Sequence, residues 1–357
     1  MLEKTLPWIL VVVGCASNNA GSGGDAGSGG SDAGSGSGRP PFTNGVSTLG
    51  GDAQAGYLDG SREVNLFNNP VNVAVGAGGL YIADFDNGKL RALAADGTAT
   101  TIIAQAGFSR PFGMAFAAGG VLYVSTDNNP SGGHSLMSGT IWRVDLTAQT
   151  AAPIAVGIGR PRGLTVLADG RIAASDDLHH VIELVDPQTG AVTTLAGTWD
   201  AAGFTDATGA AARFSVPYGI VQRADGKLVV CDFANHRLRL VGLDGTVTTL
   251  AGSVAGFADG ALAGALFDHP QGLAIGANGD LFVTDIDNFR VRRITATAVD
   301  TIAGDGTAGY LDSDDRLGSR LYGLEGLAVK PDGSMVYVAD GTRGEDVLFN
   351  RVRQIKL

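Results

Sequence analysis

A short motif, proline followed by any residue, then glycine and an apolar residue, returns along the chain at nearly regular intervals. Four clear copies begin at Pro111, Pro161, Pro217 and Pro270, and weaker copies begin at Pro70 and Leu324. The successive intervals are 41, 50, 56, 53 and 54 residues. Periods of this length are typical of folds in which each small unit buries its apolar face only against the next copy. The repeat therefore predicts one long domain of six units.

Each unit is predicted to contain four short antiparallel strands. The first and second are separated by tight turns such as Asp169-Gly170 and Asn278-Gly279, where glycine accepts a positive φ. The third follows an Asp-x-x-Asn turn and alternates basic and apolar residues, as in residues 237–239, which is the pattern of a half-buried strand. A fourth strand, such as residues 247–250, completes the unit. Radial repetition of such units predicts an all-β fold, a six-bladed β-propeller.

The units resemble NHL repeats, which share the Pro-x-Gly-apolar start and an Ala-Asp-x-x-Asn-x-Arg-apolar centre. The resemblance extends over residues 44–357 and is strongest in the fourth and fifth units. Thr126 replaces the aspartate in the second unit, and His179 replaces the asparagine in the third. The resemblance implies a six-bladed propeller of four-stranded antiparallel blades.

The last unit has a third strand but no fourth, and a copy of the fourth-strand motif lies at the other end of the repeats. Residues 46–51 reproduce that motif, and residues 55–60 reproduce the connector that normally follows it. We predict that Val46 to Leu49 pairs with the sixth blade. This pairing would close the ring and remove its open strand edges.

The first fifteen residues resemble the signal segment of a bacterial lipoprotein. Leu6 to Val13 is a short apolar run, and small residues lead from it into Cys15. The run is far shorter than the ~20 residues needed to span a bilayer. The resemblance implies that residues 1–14 are removed and that Cys15 is lipidated. An aspartate does not follow Cys15, so the resemblance favours the outer membrane or cell surface. An ordinary cleaved signal is the alternative.

Residues 15–43 are rich in Gly, Ser, Asp and Ala. A segment with so few apolar side chains cannot bury enough surface to offset the entropy of ordering, so we expect a disordered tether. The chain carries a net charge of −11. An acidic surface repels phosphate backbones and anionic headgroups, so nucleic acid is excluded as a main partner and membrane contact is expected only through the lipid. We expect a monomer that binds a protein, peptide or glycan.

The repeat is broken where the second and third blades begin, and this break predicts a ligand site. Four other connectors carry an aromatic-x-Asp motif whose recurrence points to a structural role, whereas these two are short and lead into arginines. Equivalent ring positions in other blades include Asn69 and Val216. The predicted site at the channel mouth consists of Arg110, Arg160, Arg162, Tyr218, His269, Gln271 and Glu325. We expect an anionic or polar ligand such as a carboxylate, which arginine binds bidentately. The alternative is that each arginine forms a salt bridge with a neighbouring blade.

An enzymatic function is the second hypothesis, of the metal-dependent lactonase, hydrolase or lyase type found among propellers. Lactonase-like propellers use Glu, Asn and Asp in the channel, and here the first strands offer Asn72 and Glu325. His179 and His180 are expected to lie on one strand and to point to opposite faces, which disfavours chelation of one ion. Cys231, within an apolar run, is interpreted as a small buried hydrophobic residue. No catalytic residue, metal ligand or cofactor is predicted, and a cell-envelope binding or scaffold module is the leading interpretation.

Overall fold

The computed structural model describes Arg39 and residues 41–345, 347 and 349–357. Within these residues the chain forms six antiparallel sheets, and the first strands of successive sheets contact each other around a complete ring. This confirms the predicted six-bladed propeller. The predicted signal segment, Cys15 and most of the predicted tether lie outside the described residues. In the part of the chain that is described, no helix is long and apolar enough to cross a membrane.

The first three blades are formed by consecutive strands. Blade 1 contains β2 (Pro70–Gly76), β3 (Gly79–Asp84), β4 (Lys89–Leu93) and β5 (Ala99–Ile103). Blade 2 contains β6 (Pro111–Phe116), β7 (Leu122–Thr126), β8 (Thr140–Asp145) and β9 (Thr150–Val156). Blade 3 contains β10 (Pro161–Val166), β11 (Ile172–Asp176), β12 (Val181–Val185) and β13 (Val192–Gly197).

The last three blades follow the same plan with two additions. Blade 4 contains β14 (Pro217–Gln222), β15 (Leu228–Asp232), β16 (Arg237–Val241) and β17 (Val247–Gly252). Blade 5 contains β19 (Pro270–Ile275), β20 (Leu281–Asp285), β21 (Arg290–Ile294) and β22 (Ala298–Ala303), extended by the short β18 (Gly260–Ala261). Blade 6 contains β23 (Leu324–Val329), β24 (Met335–Asp340), β25 (Asn350–Lys356) and β1 (Val46–Asp52). Short 3-10 helices lie at Gly209–Ala211, Phe233–Asn235 and Arg316–Gly318.

The ring is closed by β1, which pairs antiparallel with β25 as the outer strand of blade 6. Val46 lies opposite Ile355, and the register shifts by a bulge between Thr48 and Gly50. Gly51 has a φ of +80°, and a Cβ there would lie 2.1 Å from the carbonyl oxygen of Asn350, so a larger residue does not fit. The predicted closing strand is confirmed and extends three residues further than predicted.

One arginine in the third strand of four blades is fully buried, and the half-buried strand predicted for these positions is wrong. Arg239 is the example: its Nη1 lies 2.5 Å from Asp232 of the Asp-x-x-Asn turn, and its Nη2 lies 2.5 Å from Asp206 of the connector. The same arrangement holds Arg91, Arg292 and Arg353. A buried charge is tolerated only when it is paired, so the recurring connector aspartates have a structural role.

Blades 2 and 3 replace that arginine with other residues. Trp142 takes the position in blade 2 and donates from Nε1 to Thr126 Oγ1 at 2.8 Å. Glu183 takes it in blade 3, where it is 2% exposed and its Oε2 makes no hydrogen bond. His179 lies 2.7 Å through Nδ1 from Asp176 Oδ2. His179 and His180 lie in the turn before β12 rather than on a strand, which corrects their predicted placement.

The inner strands of neighbouring blades are joined by hydroxyl groups on the second strands. Ser125 accepts from the Gly113 amide and donates to the Pro161 carbonyl, both at 2.8 Å. Ser175 and Thr284 make the equivalent contacts in blades 3 and 5. In blade 4 the position belongs to Cys231, whose Sγ lies 3.9 Å from the Gly272 carbonyl oxygen. Cys231 is fully buried, and burial raises the pKa of its thiol, which confirms the predicted structural role.

Candidate ligand site at the channel mouth

The predicted site residues belong to two separate rings around the channel. The inner ring is the residue after each first-strand proline or its equivalent: Val71, Phe112, Arg162, Tyr218, Gln271 and Glu325. Five of these six line a narrow cavity of about 60 Å³, together with Asn72. The outer ring is the residue before each proline, and contains Asn69, Arg110, Arg160, Val216 and His269. The sequence reasoning had treated these two rings as one.

Arg162 is the centre of an ion-pair network that joins blades 2 and 3. Its side chain is almost fully buried, with Nη1 3.0 Å from Asp127 Oδ1 and Nε 3.6 Å from Asp177 Oδ2. Its guanidinium also lies 4.1 Å from the ring centre of Phe112. Arg160 is more exposed and approaches the same two carboxylates at 3.8 and 3.9 Å. Two buried aspartates therefore balance the positive charge that the sequence predicted here.

The remaining predicted residues are members of an aromatic row, an arginine that lies over a phenylalanine ring, and a buried glutamine. The Tyr218 ring lies 6.1 Å from Phe112 and 5.1 Å from Phe233, and Phe233 lies 4.5 Å from His269. Burial raises the pKa of the Tyr218 hydroxyl, which stays neutral. Arg110 lies over the ring of Phe85 at 5.2 Å. Gln271 is buried in the channel wall.

Glu325 lies in blade 6, across the channel from blade 3, which carries Arg162, and its carboxyl group is buried. Burial raises its pKa to about 7, opposed by the positive charges of Arg162 and Arg343. The Arg343 amide also donates to this carboxyl group, and the Arg343 side chain pairs with Asp287. Oε1 of Glu325 makes no hydrogen bond. Arg343 was not predicted, although the irregular loop that carries it is visible in the sequence.

Unsatisfied polar atoms are concentrated at this end of the channel. Within the described residues, thirteen buried side-chain nitrogen or oxygen atoms make no hydrogen bond. Six of them belong to Asp127, Arg160, Arg162, Asp177 and Glu325. Five of the six lie 3.0–3.9 Å from an oppositely charged side chain, and Glu325 Oε1 is the sixth. Buried polar atoms in folded proteins nearly always have hydrogen-bond partners, so such a cluster is a candidate ligand site. We call these five residues, with Tyr218 and Gln271, the channel-mouth cluster.

Asp127 and Asp177 are functional candidates that the sequence reasoning missed. Each follows directly after the last residue of a second strand, where blades 1, 4 and 5 have Phe85, Phe233 and Ile286. The sequence does contain a signal for them, because the two aspartates occur in the same two blades that carry the predicted arginines. Recognising it requires the knowledge that this position faces the channel mouth.

A larger cavity of about 490 Å³ lies away from this cluster and has a mainly apolar wall, including Leu49, Leu80, Phe116 and Tyr337. Its one charged lining residue, Lys330, is paired with Asp332 at 2.8 Å. None of the unsatisfied buried atoms found in the described residues belongs to its lining. The channel mouth is therefore the better candidate for specific recognition.

One segment of the chain matches the model of a known repeat family. Residues 267–294, which cover the end of the connector into blade 5 and its first three strands, match the NHL repeat model. The chain is a β-propeller with an NHL repeat.

Relatives of this NHL propeller are found among larger proteins. It is 30% identical over 287 residues to the chloroplastic protein SUPPRESSOR OF QUENCHING 1 of Arabidopsis thaliana, covering 70% of this chain and 27% of that protein. It is 24% identical over 296 residues to NHL repeat-containing protein 2 of Homo sapiens, covering 68% and 41%. The chain thus spans well under half the length of these curated relatives.

Solved structures similar to this NHL propeller include both binding proteins and enzymes. An auxiliary nutrient binding protein of Bacteroides ovatus has a TM-score of 0.68 at 19% identity, covering 87% of this chain and 76% of that one. Virginiamycin B lyase of Staphylococcus aureus has a TM-score of 0.51 at 14% identity, covering 80% of each chain. These likenesses show the propeller fold, which hosts both kinds of function.

Proposed function

We propose that the chain is a binding module whose channel-mouth cluster takes a neutral, multiply hydroxylated ligand of the carbohydrate class. The observation that carries this proposal is Glu325 Oε1, a buried acceptor without a hydrogen bond, in a cluster with five buried atoms of Asp127, Arg160, Arg162 and Asp177 that make only ion pairs. A hydroxyl group both donates and accepts, so a ligand with several hydroxyls matches a mixed set of this kind. A carboxylate only accepts, and it would meet the three acidic side chains of the cluster.

The charge balance at the mouth also favours a neutral ligand over the anion expected from the arginines. Arg162 and Arg160 face Asp127 and Asp177, and Arg343 faces Asp287. With Glu325 added, the acidic groups are at least as numerous as the basic ones. An anion therefore gains no net attraction here.

Aromatic rings close to these polar groups offer the apolar surface on which the C–H face of a sugar packs. Tyr218 and Phe233 form one such surface. Tyr322 and Phe349 are stacked at 4.4 Å beside Arg343 and form another. The channel cavity is only about 60 Å³, far below the roughly 300–1,000 Å³ of typical small-molecule pockets. A sugar ring would thus rest on the mouth and send a hydroxyl inward.

A binding role is in keeping with the Bacteroides proteins of the same fold that are described as nutrient binding proteins. We also propose display at the cell envelope through a lipid on Cys15, which rests on the apolar run before that cysteine. Incorporation of a labelled fatty acid by the producing bacterium, lost in Cys15→Ser, would support the anchor. Equal labelling of both chains would contradict it.

The binding proposal is tested on a glycan array, followed by calorimetry with the glycans that bind. We expect Gln271→Ala and Tyr218→Phe to weaken binding by ~10-fold or more, because each removes a polar group of the mouth. Gln222→Ala is the matched control, since Gln222 lies at the far end of β14. Absence of glycan binding by the wild type, or full binding by both mouth variants, would contradict the proposal.

An enzyme is the alternative, and Glu325 favours it. A carboxyl group with a pKa of about 7 can exchange protons near neutral pH, as a general base or acid must. A panel of lactone and ester substrates tests this hypothesis. Turnover by the wild type that is lost in Glu325→Gln would favour a hydrolase or lyase, and equal rates would exclude this role for Glu325.

A further inference from the structure

Two histidines and an aspartate from adjacent blades meet beside the channel mouth. His236 follows the Asp-x-x-Asn turn of blade 4, while Asp268 and His269 lead into β19 of blade 5. Asp268 Oδ1 lies 3.3 Å from His236 Nδ1 and 3.0 Å from His269 Nδ1. One ligand atom from each residue lies within 4.8 Å of the others. The sequence reasoning did not group these residues.

The spacing fits the coordination shell of a small divalent cation. Ligand atoms bound at about 2.0–2.2 Å in a tetrahedron lie roughly 3.3–3.6 Å from one another. The separations from Asp268 Oδ1 to the two Nδ1 atoms, 3.3 and 3.0 Å, are close to this value, so an ion bound through both Nδ1 atoms needs only modest side-chain rotation. Two imidazoles with one carboxylate suit zinc better than calcium or magnesium, which prefer oxygen ligands. We propose that His236, Asp268 and His269 bind one Zn²⁺ ion, with a fourth position open to water or to a ligand group.

The surroundings of the three residues are compatible with a metal. His269 Nδ1 lies 2.5 Å from Asp287 Oδ2, so Asp287 is placed to supply a further ligand atom. Nδ1 of His236 accepts from the His269 amide at 3.2 Å, so an ion bound through this atom takes the place of that hydrogen bond. The three side chains are 18–30% exposed, which leaves the ion a path from solvent.

The repeat provides an internal control for this site. His180 occupies in blade 3 the position of His236 in blade 4, with a φ of 60° against 55°. Its Nδ1 accepts from the Val216 amide at 3.1 Å, as His236 accepts from His269. The residues opposite it are Ser215 and Val216 instead of Asp268 and His269. The junction of blades 3 and 4 thus has the same backbone without the other two ligands.

Asparagine is the substitution that separates metal binding from folding. His236 and His269 have positive φ angles, which asparagine tolerates better than alanine. Asn69 already occupies the position of His269 in blade 1, with a φ of 53°. The test therefore uses His236→Asn and His269→Asn, with His180→Asn as the matched control, in untagged protein. Melting temperatures measured with a chelator establish that each variant is folded.

Each protein is incubated with ZnCl₂, separated from free metal by gel filtration and measured for bound zinc. We expect about one zinc per chain for the wild type and His180→Asn, and at least ~10-fold weaker binding for the other two variants. Cobalt replaces zinc in a second measurement, where the visible spectrum reports tetrahedral coordination. A wild type without stoichiometric zinc, or equal loss in His180→Asn, would overturn the proposal. Because no glycan is added, the result is independent of the carbohydrate proposal.

Discussion

Glu183 in blade 3 lies at the strand position that Arg239 holds in blade 4. Glu183 is paired across the sheet with Ala174, and Arg239 is paired with Val230. Each side chain lies near the buried aspartate that ends the second strand of the same blade. Arg239 neutralises Asp232, whereas Glu183 adds a second acidic group near Asp176. Burial and the charge of Asp176 raise the pKa of Glu183 to about 8. The side chain is therefore largely protonated at neutral pH.

This relationship predicts an unusual dependence of stability on pH. The pKa of a glutamate in the unfolded chain is about 4.3. Between that value and about 8, the folded protein binds the extra proton, so the contribution of Glu183 to stability falls as pH rises. We expect Glu183→Gln to be more stable than the wild type by about 1–3 kcal/mol at pH 9 and within ~1 kcal/mol of it at pH 5. Urea unfolding at both pH values measures the difference, and parallel pH profiles for the two proteins would contradict it.

Removal of the buried arginine of blade 4 should destabilise the fold strongly. Arg239→Met leaves Asp232 buried without its counter-charge, and we expect a loss of about 3–5 kcal/mol. Arg237, two residues earlier, packs over the Phe204 ring at the surface. Arg237→Met is the control and should cost about 1 kcal/mol or less. Similar unfolding free energies for the two variants would show that the buried pair is not what stabilises the blade.

Removal of the closing strand should lower the melting temperature sharply. A deletion of residues 42–51 exposes the edge of β25 and the apolar groups that pack on Val46 and Leu49. A deletion of residues 24–33, of equal length within the predicted tether, is the control and should have little effect. Calorimetry of the two deletions tests the closure, and equal melting temperatures would be incompatible with it.

Cys231 should be replaceable by serine. Serine holds the equivalent position in blades 2 and 3, where its hydroxyl joins neighbouring inner strands. We expect Cys231→Ser to change stability by about 1 kcal/mol or less, and Ser125→Ala to cost about 1–3 kcal/mol by leaving the Gly113 amide without its partner. Chemical denaturation compares the two. A large loss for Cys231→Ser alone would contradict the structural equivalence of these positions.

The fold could be predicted from the sequence because the motif that marks the start of a blade occurs six times. Six copies of one motif define the blades, and the displaced copy at residues 46–51 identifies the closing strand. The burial of Arg239 could not be predicted in the same way. Alternation of basic and apolar residues looks the same for an exposed arginine and for one enclosed by two aspartates. Only the pairing of the strand with a connector 33 residues away distinguishes them.

The candidate sites were harder to predict because they depend on single departures from the repeat. His236 and His269 are 33 residues apart and meet because the end of one turn touches the start of the next blade. Asp127 and Asp177 occupy the first variable position of the Asp-x-x-Asn turn, which the motif leaves unspecified. A comparison of the blades position by position would have found all four residues. It would not have shown that Asp127 and Asp177 already balance the charge of Arg162.

The pairing of β1 with β25 also sets a condition on how the protein is made. Strand β1 is synthesised before the other strands of the propeller, and its partner β25 follows about 300 residues later, so β1 must wait until nearly all of the propeller has been made. Contacts between such distant segments form slowly, and the unpaired strand edges are prone to aggregation meanwhile. Closure of the ring therefore cannot precede the synthesis of β25.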